Sequence, residues 1–558
     1  MTVADSLRRA ARGLMAPRQL RTVARTRFGF THLRPNQLDA MRAALSGRDA
    51  LVVLPTGAGK SAVYQVPATL LPGPTVVISP LLALQQDQMA ALNERGDPAL
   101  AAVRISSAES ATERRDALAA LRGGTARFLF VTPEQLADPD RLAEIRAVKP
   151  CLVAVDEAHC ISSWGHDFRP DYLQLGRVIA ELNRPPVVAL TATASPPVRE
   201  DIVARLGLAD PFVIVAGLDR PNLFLEAAHC VDEEQRWQRL VQRLRDSPPP
   251  GIVYAATRRA TEELAERLCA AGLPATAYHG GMTANERERR HETFLADEVS
   301  IMVATTAFGM GIDKPNIRWV NHVTLPDSPD SYLQEIGRAG RDGAPAQALL
   351  LFRTEDTGLR KFFSTSTVDS DEVVRVATLL AAAHRPITRD DLREQTGLGP
   401  RKVSQLLSVL EQVGVATAAA RGGFRPARYA PSPEEAAELA AAHVERFQTV
   451  QRSRVDMMRY LAETTNCRGQ ALLAYFGEHL SERCGHCDNC ADGSVDTVAP
   501  TSVEPYPVHS TVRHPDWGDG MVLSYEADRM TVLFDDVGYK TLSVPVVVEQ
   551  RLLTSGQV

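Results

Sequence analysis

A chain of 558 residues exceeds what one hydrophobic core supports and predicts about three to five domains of ~100–200 residues. Its 44% hydrophobic and 23% charged residues are those of a globular protein, and no apolar run approaches the ~20 residues of a membrane-spanning helix. A formal net charge of -6 excludes a uniformly basic coat, so any nucleic-acid surface has to be a local patch.

The first 25 or so residues read as a short basic helix with Arg8, Arg9, Arg12, Arg18 and Arg21. No apolar core follows them, which argues against a secretory signal. Phe30, Arg34 and Gln37, spaced by four and three, carry the groups to stack on and hydrogen-bond a purine, although alone they read better as a structural turn. Residues 50–54 form a buried strand, and Pro55-Thr56-Gly57-Ala58-Gly59-Lys60-Ser61 leads into a helix, the strand, loop and helix context of a P-loop. In that context backbone N–H groups cradle phosphate, Lys60 neutralises β/γ oxygens and Ser61 offers its hydroxyl to Mg²⁺. Leu54 stands where the fullest form of the motif has its first glycine.

Strands at 75–78, 127–131, 151–155 and 187–190 alternate with helices, the rhythm of a doubly wound parallel sheet. Polar loops follow several of them: Ser79-Pro80-Leu81, Thr132-Pro133-Glu134 and Thr191-Ala192-Thr193-Ala194. Strand 151–155 ends in Asp156-Glu157-Ala158-His159, so two adjacent carboxylates emerge at the sheet's carboxyl edge, one to hold a metal and one to act on water. Beyond them Trp164, His166, Phe168 and Arg169 alternate in a loop suited to stacking bases and touching phosphates. This segment is read as joining a nucleotide site to a nucleic-acid site.

A second α/β unit follows Asp219-Arg220-Pro221-Asn222, with strands at 251–254, 275–278, 300–304, 319–323 and 348–352 and no second P-loop. It carries Gln334, Arg338 and Arg341; two arginines three apart on one helical face can reach a γ-phosphate across a cleft.

The order of Gln37, 57–61, 156–159, 191–194, 305–313 and 334–341 resembles superfamily-2 helicases. The 164–169 loop and the 307–315 run are similar to the RecQ family of DNA helicases, over about residues 28–352. The resemblance implies ATP held between two RecA-like lobes. Phe30, Arg34 and Gln37 would recognise adenine and Thr56, Gly57, Ala58, Gly59, Lys60 and Ser61 the phosphates. Asp156 and Ser61 would hold Mg²⁺, Glu157 would polarise water, Gln334 would position it, and Arg341 with Arg338 would steady the transferred phosphoryl. It also implies 3′-to-5′ movement on single-stranded DNA and duplex unwinding in recombination or repair.

Helices at 370–383, 390–395 and 401–411 and a wing at 413–429 resemble a winged helix. Arg401, Lys402, Arg421, Arg425 and Arg428 are its candidate phosphate contacts, and a protein-contacting winged helix is the alternative. A long helix starts near Ser432. Four of the eight cysteines, Cys467, Cys484, Cys487 and Cys490, then have the spacing of a structural Zn²⁺ site, with His479 or His486 as alternative fourth ligands. The other four thiols are dispersed, which suits a reducing cytoplasm, nucleoid-associated if bacterial. This segment is similar to the RecQ zinc-binding subdomain, but in the bacterial family pattern the winged helix follows the zinc module, whereas here it precedes it. Residues 508–558 read as a small barrel resembling the Tudor-like C-terminal domain of UvrD/PcrA-type helicases, a resemblance that implies contact with RNA polymerase.

The expected class is α/β: two RecA-like doubly wound lobes (1–208 and 209–354), a linker and winged-helix-like domain (355–431), a long helix and zinc-binding module (432–492), a linker (493–507) and a β-barrel (508–558). The expected function is that of an ATP-dependent DNA helicase. Alternatives are a duplex translocase, an RNA helicase and a nucleotide-switched scaffold.

Overall fold

The computed structural model describes residues 17–556 apart from 56, 107, 163–168, 309–313, 364–367, 420–422, 479, 494, 496–503, 509 and 527. Seven strands build the first lobe: β1 (Ala50–Val53), β2 (Thr75–Ile78), β3 (Ala102–Ile105), β4 (Phe128–Val131), β5 (Leu152–Val155), β6 (Val187–Thr191) and β7 (Phe212–Val215). All pair in parallel in the order β3-β4-β2-β5-β6-β1-β7. The central strands β1, β2, β4 and β5 are Val, Ile, Leu, Phe and Ala runs, with Thr75 their one polar residue, and are buried along their length, as a sheet covered by helices on both faces requires. Alternation splits them between two cores, with Ala50 and Val52 on one face and Leu51 and Val53 on the other.

The two outer strands escaped the sequence reading. β3 carries Arg104, held by Glu109, which breaks its apolar run, whereas β7 is apolar throughout and exposes Val213 at the sheet edge. β7 pairs with β1 along its length, so the first lobe's sheet continues beyond residue 208.

The second lobe is also parallel, with β8 (Leu223–His229), β9 (Gly251–Tyr254), β10 (Ala275–Tyr278), β11 (Ile301–Ala304), β12 (Trp319–His322) and β13 (Ala346–Phe352) in the order β10-β11-β9-β12-β13-β8. Its edge strand β8 was also missed, and the zinc module docks onto it. Leu225 N–H donates to His486 O at 2.9 Å and Ala227 N–H to Asp488 Oδ2 at 3.0 Å.

Helices Ser370–Ala382, Arg389–Thr396 and Pro400–Gln412 with the hairpin β14 (Ala416–Ala418) and β15 (Phe424–Pro426) form the winged-helix-like unit. The helix Pro433–Glu463 begins with a capping box, Ser432 Oγ accepting from Glu435 N–H and the Glu435 carboxylate from Ser432 N–H. Its first half packs Ala436, Ala437 and Ala440 into the winged-helix core. Its second half gives Met457, Met458 and Leu461 to the core of the second lobe.

The last unit is antiparallel: β16 (Thr511–His514), β17 (Gly518–Glu526), β18 (Arg529–Phe534), β19 (Gly538–Ser543) and β20 (Thr554–Ser555), in the order β19-β18-β17-β16-β20. Val512, Val522, Met530, Val532 and Phe534 fill its own core. A register shift between Val522 and Ser524 turns Leu523 outward, and with Leu533 and Tyr539 it enters the core shared by the second lobe and the zinc module. Among the described residues no helix is long and apolar enough to cross a membrane.

Candidate nucleotide cleft, zinc centre and nucleic-acid face

Parallel strands bring the loops after β1, β5 and β6 to one carboxyl edge. After β1, Gly57 and Gly59 adopt φ of +78° and +75°, which glycine alone adopts without strain, and the chain turns into the helix Ala62–Ala68. Lys60 Nζ donates to Leu54 O at 3.2 Å. Gln37 Nε2 donates to Ala58 O at 2.7 Å and Gly59 O at 3.2 Å, so the buried Gln37 grips the loop backbone. Phe30 stacks on Phe28 at 5.6 Å between ring centroids, and Arg34 is exposed beside them. Thr56 lies outside the described residues.

The acid pair follows β5. Asp156 Oδ2 accepts from Gln88 Nε2 at 3.2 Å, Gln88 Oε1 accepts from Tyr64 OH at 2.8 Å, and Tyr64 OH lies near Ser61. Two hydrogen bonds therefore lead from Asp156 to Tyr64, beside Ser61, the other residue expected to hold Mg²⁺. Burial raises the Asp156 carboxyl against the pull of Lys60 and Gln88. Burial likewise lowers Lys60, opposed by Glu157 and Asp156 and reinforced by Arg341. A buried acid held above its ordinary range beside a hydroxyl is a donor set that a hard divalent cation fits.

Glu157 has φ +48° and ψ +47°, a left-handed conformation costing a non-glycine residue of order 1–3 kcal/mol. Asp156 Oδ1 accepts its N–H at 3.0 Å. Glu157 Oε2 lies 3.4 Å from His159 Nδ1, which lies 2.9 Å from Thr191 Oγ1, and Thr191 Oγ1 donates to Thr193 O at 2.9 Å. The carboxylate thus stands beside a ring that is hydrogen-bonded to the loop after β6.

Across the cleft the structure corrects one expectation. The helix Pro329–Ile336 carries Gln334 but ends before either arginine, so Arg338 and Arg341 do not share a helical face. The run Gly337, Gly340 and Gly343 is poor in helix propensity, and Gly340 takes φ +59°. Arg220 Nη2 pins the turn by donating to Ala339 O and Gly340 O, both at 2.9 Å. Arg338 is buried and hydrogen-bonded to Tyr254. Arg341 reaches the phosphate loop: a Cβ on Gly57 would stand 3.5 Å from its Cγ. Gln334 lines the same cleft with Pro55 and Thr193.

The sulfurs of Cys467, Cys484, Cys487 and Cys490 lie within 4.8 Å of one another. A tetrahedral Zn²⁺ with Zn–S near ~2.3 Å separates its sulfurs by about 3.8 Å, so the set fits. His486 bonds instead to Asp219 at 3.2 Å, and His479 lies outside the described residues.

Of the expected nucleic-acid contacts, Trp164, His166, Phe168 and Arg421 lie outside the described residues. Arg169 is half-buried, its Nη1 donating to Pro80 O at 3.3 Å, which braces the loop after β2. Arg401 and Arg425 are exposed, whereas Lys402 pairs with Glu372 at 2.9 Å. Arg389 and Glu411 of the winged-helix unit lie within electrostatic reach of Asp171 and Arg177 in the first lobe.

Sequence reasoning missed Tyr64 and Gln88, because a lone polar residue on a helix carries no motif. It also missed a buried cluster in which Asp330 accepts from Arg454 Nη2 at 2.7 Å and from Tyr475 OH at 2.5 Å.

Family models match along the chain: DEAD/DEAH box helicase over residues 34–202, helicase conserved C-terminal domain over 235–343 and RecQ zinc-binding over 435–491. The probable ATP-dependent DNA helicase RecS of Bacillus subtilis is 34% identical over 466 residues, 83% of this chain and 90% of that protein. ATP-dependent DNA helicase RecQ of the same organism is 41% identical over 337 residues, covering 60% of this chain and 56% of RecQ. The Haemophilus influenzae RecQ is 34% identical over 472 residues, 84% of this chain and 63% of its own length. A solved structure of Mss116p with single-stranded RNA and AMP-PNP shares the fold at 18% identity and a TM-score of 0.50, over 82% of this chain and 88% of that one. With its paired parallel lobes, its four-cysteine module and a relative matched over nine-tenths of its length, the chain belongs to the RecQ family of superfamily-2 helicases.

Proposed function

We propose that this protein is an ATP-dependent DNA helicase that moves 3′-to-5′ on single-stranded DNA and separates tailed or forked duplexes in recombination or repair. The observation that carries the reading is the approach of Arg341 to Gly57, which puts a second-lobe cation at the first lobe's phosphate loop beside Lys60, Asp156 and Glu157. Relatives named as DNA helicases favour DNA over RNA as the substrate.

In this reading the loop amides and Lys60 hold the β/γ-phosphates of ATP, and Phe30, Arg34 and Gln37 its adenine. Ser61 and Asp156 would hold Mg²⁺, which supplies positive charge at the phosphate oxygens. Glu157 polarises the attacking water and Gln334 orients it. Arg341 steadies charge on the transferred phosphoryl, stabilisation of a kind worth ~10³–10⁵ in rate. Arg338, buried against Tyr254, supports the turn that aims Arg341. The four cysteines would hold Zn²⁺, which supplies a fixed crosslink for the module seated on β8. The segment 163–169 lies between Glu157 and the nucleic-acid face in sequence, and through Arg169 and Pro80 it would pass DNA occupancy to the acid pair.

For the barrel, the UvrD/PcrA resemblance offers RNA polymerase as partner. The burial of Leu523, Leu533 and Tyr539 against the body favours an internal role for that face. The test of the reading is strand displacement on 3′- and 5′-tailed duplexes with and without ATP, beside ATPase assays with single-stranded DNA, duplex DNA and RNA. Separation of 3′-tailed DNA supports it; hydrolysis stimulated by RNA alone, or by duplex without unwinding, selects an alternative.

A further inference from the structure

Tyr539, on the barrel's β19, stands where four parts of the molecule meet. Its ring stacks on Tyr475 of the zinc module, with centroids 4.7 Å apart and planes 23° from parallel. Its hydroxyl lies close enough to the hydroxyls of Tyr475 and Ser195 to interact with both. Tyr475 donates to Asp330, which also takes the guanidinium of Arg454 from the long helix. All five side chains are buried. The barrel is seated there by backbone as well as side chain: Tyr539 N–H donates to Ser453 Oγ at 3.1 Å. At Gly538, φ is +71° and a Cβ would collide with Ser453 Oγ at 2.1 Å, so only glycine lets β19 approach the long helix so closely.

The two ends of this relay matter. Ser195 follows directly on the Thr191–Ala194 loop whose Thr191 is bonded to His159, beside Glu157. It occupies the N-cap position of the helix Pro196–Leu206 but makes no capping bond, which leaves its buried hydroxyl to the neighbouring Tyr539. Asp330 lies in the first turn of the helix that carries Gln334 and leads to the Arg341 turn. One barrel side chain therefore ties the loop behind the acid pair to the element that brings Gln334 and Arg341 to the cleft. A second strut runs parallel, Arg199 Nη2 of the same first-lobe helix donating to Phe476 O of the zinc module at 3.2 Å.

We infer that the C-terminal barrel is an intramolecular brace between the two lobes and that Tyr539, through Ser195 and Tyr475, is a positioning residue for ATP hydrolysis. The inference rests on the helicase reading above. Tyr539 is buried at the seam and is none of the groups assigned to nucleotide or nucleic acid; it sets the registry of the groups on the two sides of the cleft. A buried hydroxyl lost from such a relay weakens alignment without removing any group that holds ATP.

The test uses the full-length protein with Tyr539→Phe, Ser195→Ala and the double variant, measuring DNA-stimulated kcat, KM for ATP and thermal unfolding. Tyr539→Phe keeps the stacked ring, and Ser195→Ala removes the partner from the first-lobe side. Each single variant is expected to lose about three- to tenfold in kcat with KM for ATP unchanged, the size of one hydrogen bond. The double variant is expected to lose no more than the worse single, because both cut one link. The brace is overturned if both single variants keep kcat within about twofold of the parent, if their losses multiply in the double variant, or if kcat falls only as the folded fraction falls. Failure of the helicase reading looks different: the unaltered protein itself would show no DNA-stimulated hydrolysis.

Discussion

The alkyl stem of Arg341 lies against the Gly57 backbone, within 3.5 Å of where a Cβ would be, although the two residues belong to different lobes. An arginine so placed lowers Lys60's proton affinity by its charge and can bear on phosphate held by the loop. Arg341→Ala is predicted to lower kcat for ATP by about 10³-fold while a fluorescent ATP analogue still binds. Arg341→Lys should recover little, because a point-charge ammonium cannot reproduce the planar fork. Single-turnover hydrolysis checks both.

The N–H of the left-handed Glu157 is held by Asp156, its carboxylate stands 3.4 Å from His159 Nδ1, and Thr191 fixes the His159 ring. Thr191→Val removes that hydroxyl with little change of shape. It is predicted to lower DNA-stimulated kcat by about three- to tenfold with nucleotide affinity preserved. Glu157→Gln should stop turnover and leave ATP bound, and equilibrium binding with product analysis separates the two effects.

Asp330 and Arg454 are each only 1% exposed, so removing one partner strands a buried charge. Asp330→Ala is predicted to cost about 3–5 kcal/mol in unfolding free energy. Tyr475→Phe, which removes one hydrogen bond to the same carboxylate, should cost about 1–3 kcal/mol. Urea titration followed by intrinsic fluorescence measures both.

At the seam of the first lobe and the barrel, burial and the neighbouring Asp535 raise the Glu200 carboxyl, and burial with Asp536 and Asp519 raises Asp535. Each binds a proton more readily folded than unfolded. Their contribution therefore falls as pH rises from the ordinary carboxylate range, near ~4, through the raised values, and the penalty is complete at neutral pH. Glu200→Gln is predicted to raise Tm at pH 7.5 and to leave it unchanged where both acids are protonated. A pH series of thermal melts checks the sign.

Much of the architecture was legible because its signals are local. Runs such as Ala50-Leu51-Val52-Val53 and Cys151-Leu152-Val153-Ala154-Val155 are long enough and apolar enough to mark buried parallel strands, and the four cysteines announce themselves by spacing. What stayed hidden depends on distant partners. The edge strands β3 and β8 carry Arg104 and Glu226 among their apolar residues, and the four-residue apolar run of β7 was passed over although its composition resembles that of the central strands. The end of the helix at Ile336 is set by Gly340 and by Arg220, which is about 120 residues away in sequence. Ser61, Tyr64, Gln88 and Asp156 form one chain of contacts from three separate elements, and nothing in the spacing of a Gln on a helix foretells that.

Replacing Cys487 by Ser removes one sulfur from the zinc set and loosens the segment that Leu225 and Ala227 of β8 hold through His486 and Asp488. Bound zinc, measured by inductively coupled plasma spectrometry, is predicted to fall from one ion per chain toward none, with Tm falling alongside. The ATP cleft is built from other elements, so nucleotide binding at low temperature should persist.

The most direct test of the central claim is the rate of ATP hydrolysis with and without single-stranded DNA, read beside strand separation of 3′- and 5′-tailed duplexes by the same preparation. Coupling through the span after Asp156 and Glu157 predicts that DNA raises the rate steeply and that the 3′-tailed duplex is opened in an ATP-dependent manner. Equal hydrolysis in the presence and absence of DNA, or opening of 5′-tailed duplexes alone, would contradict it.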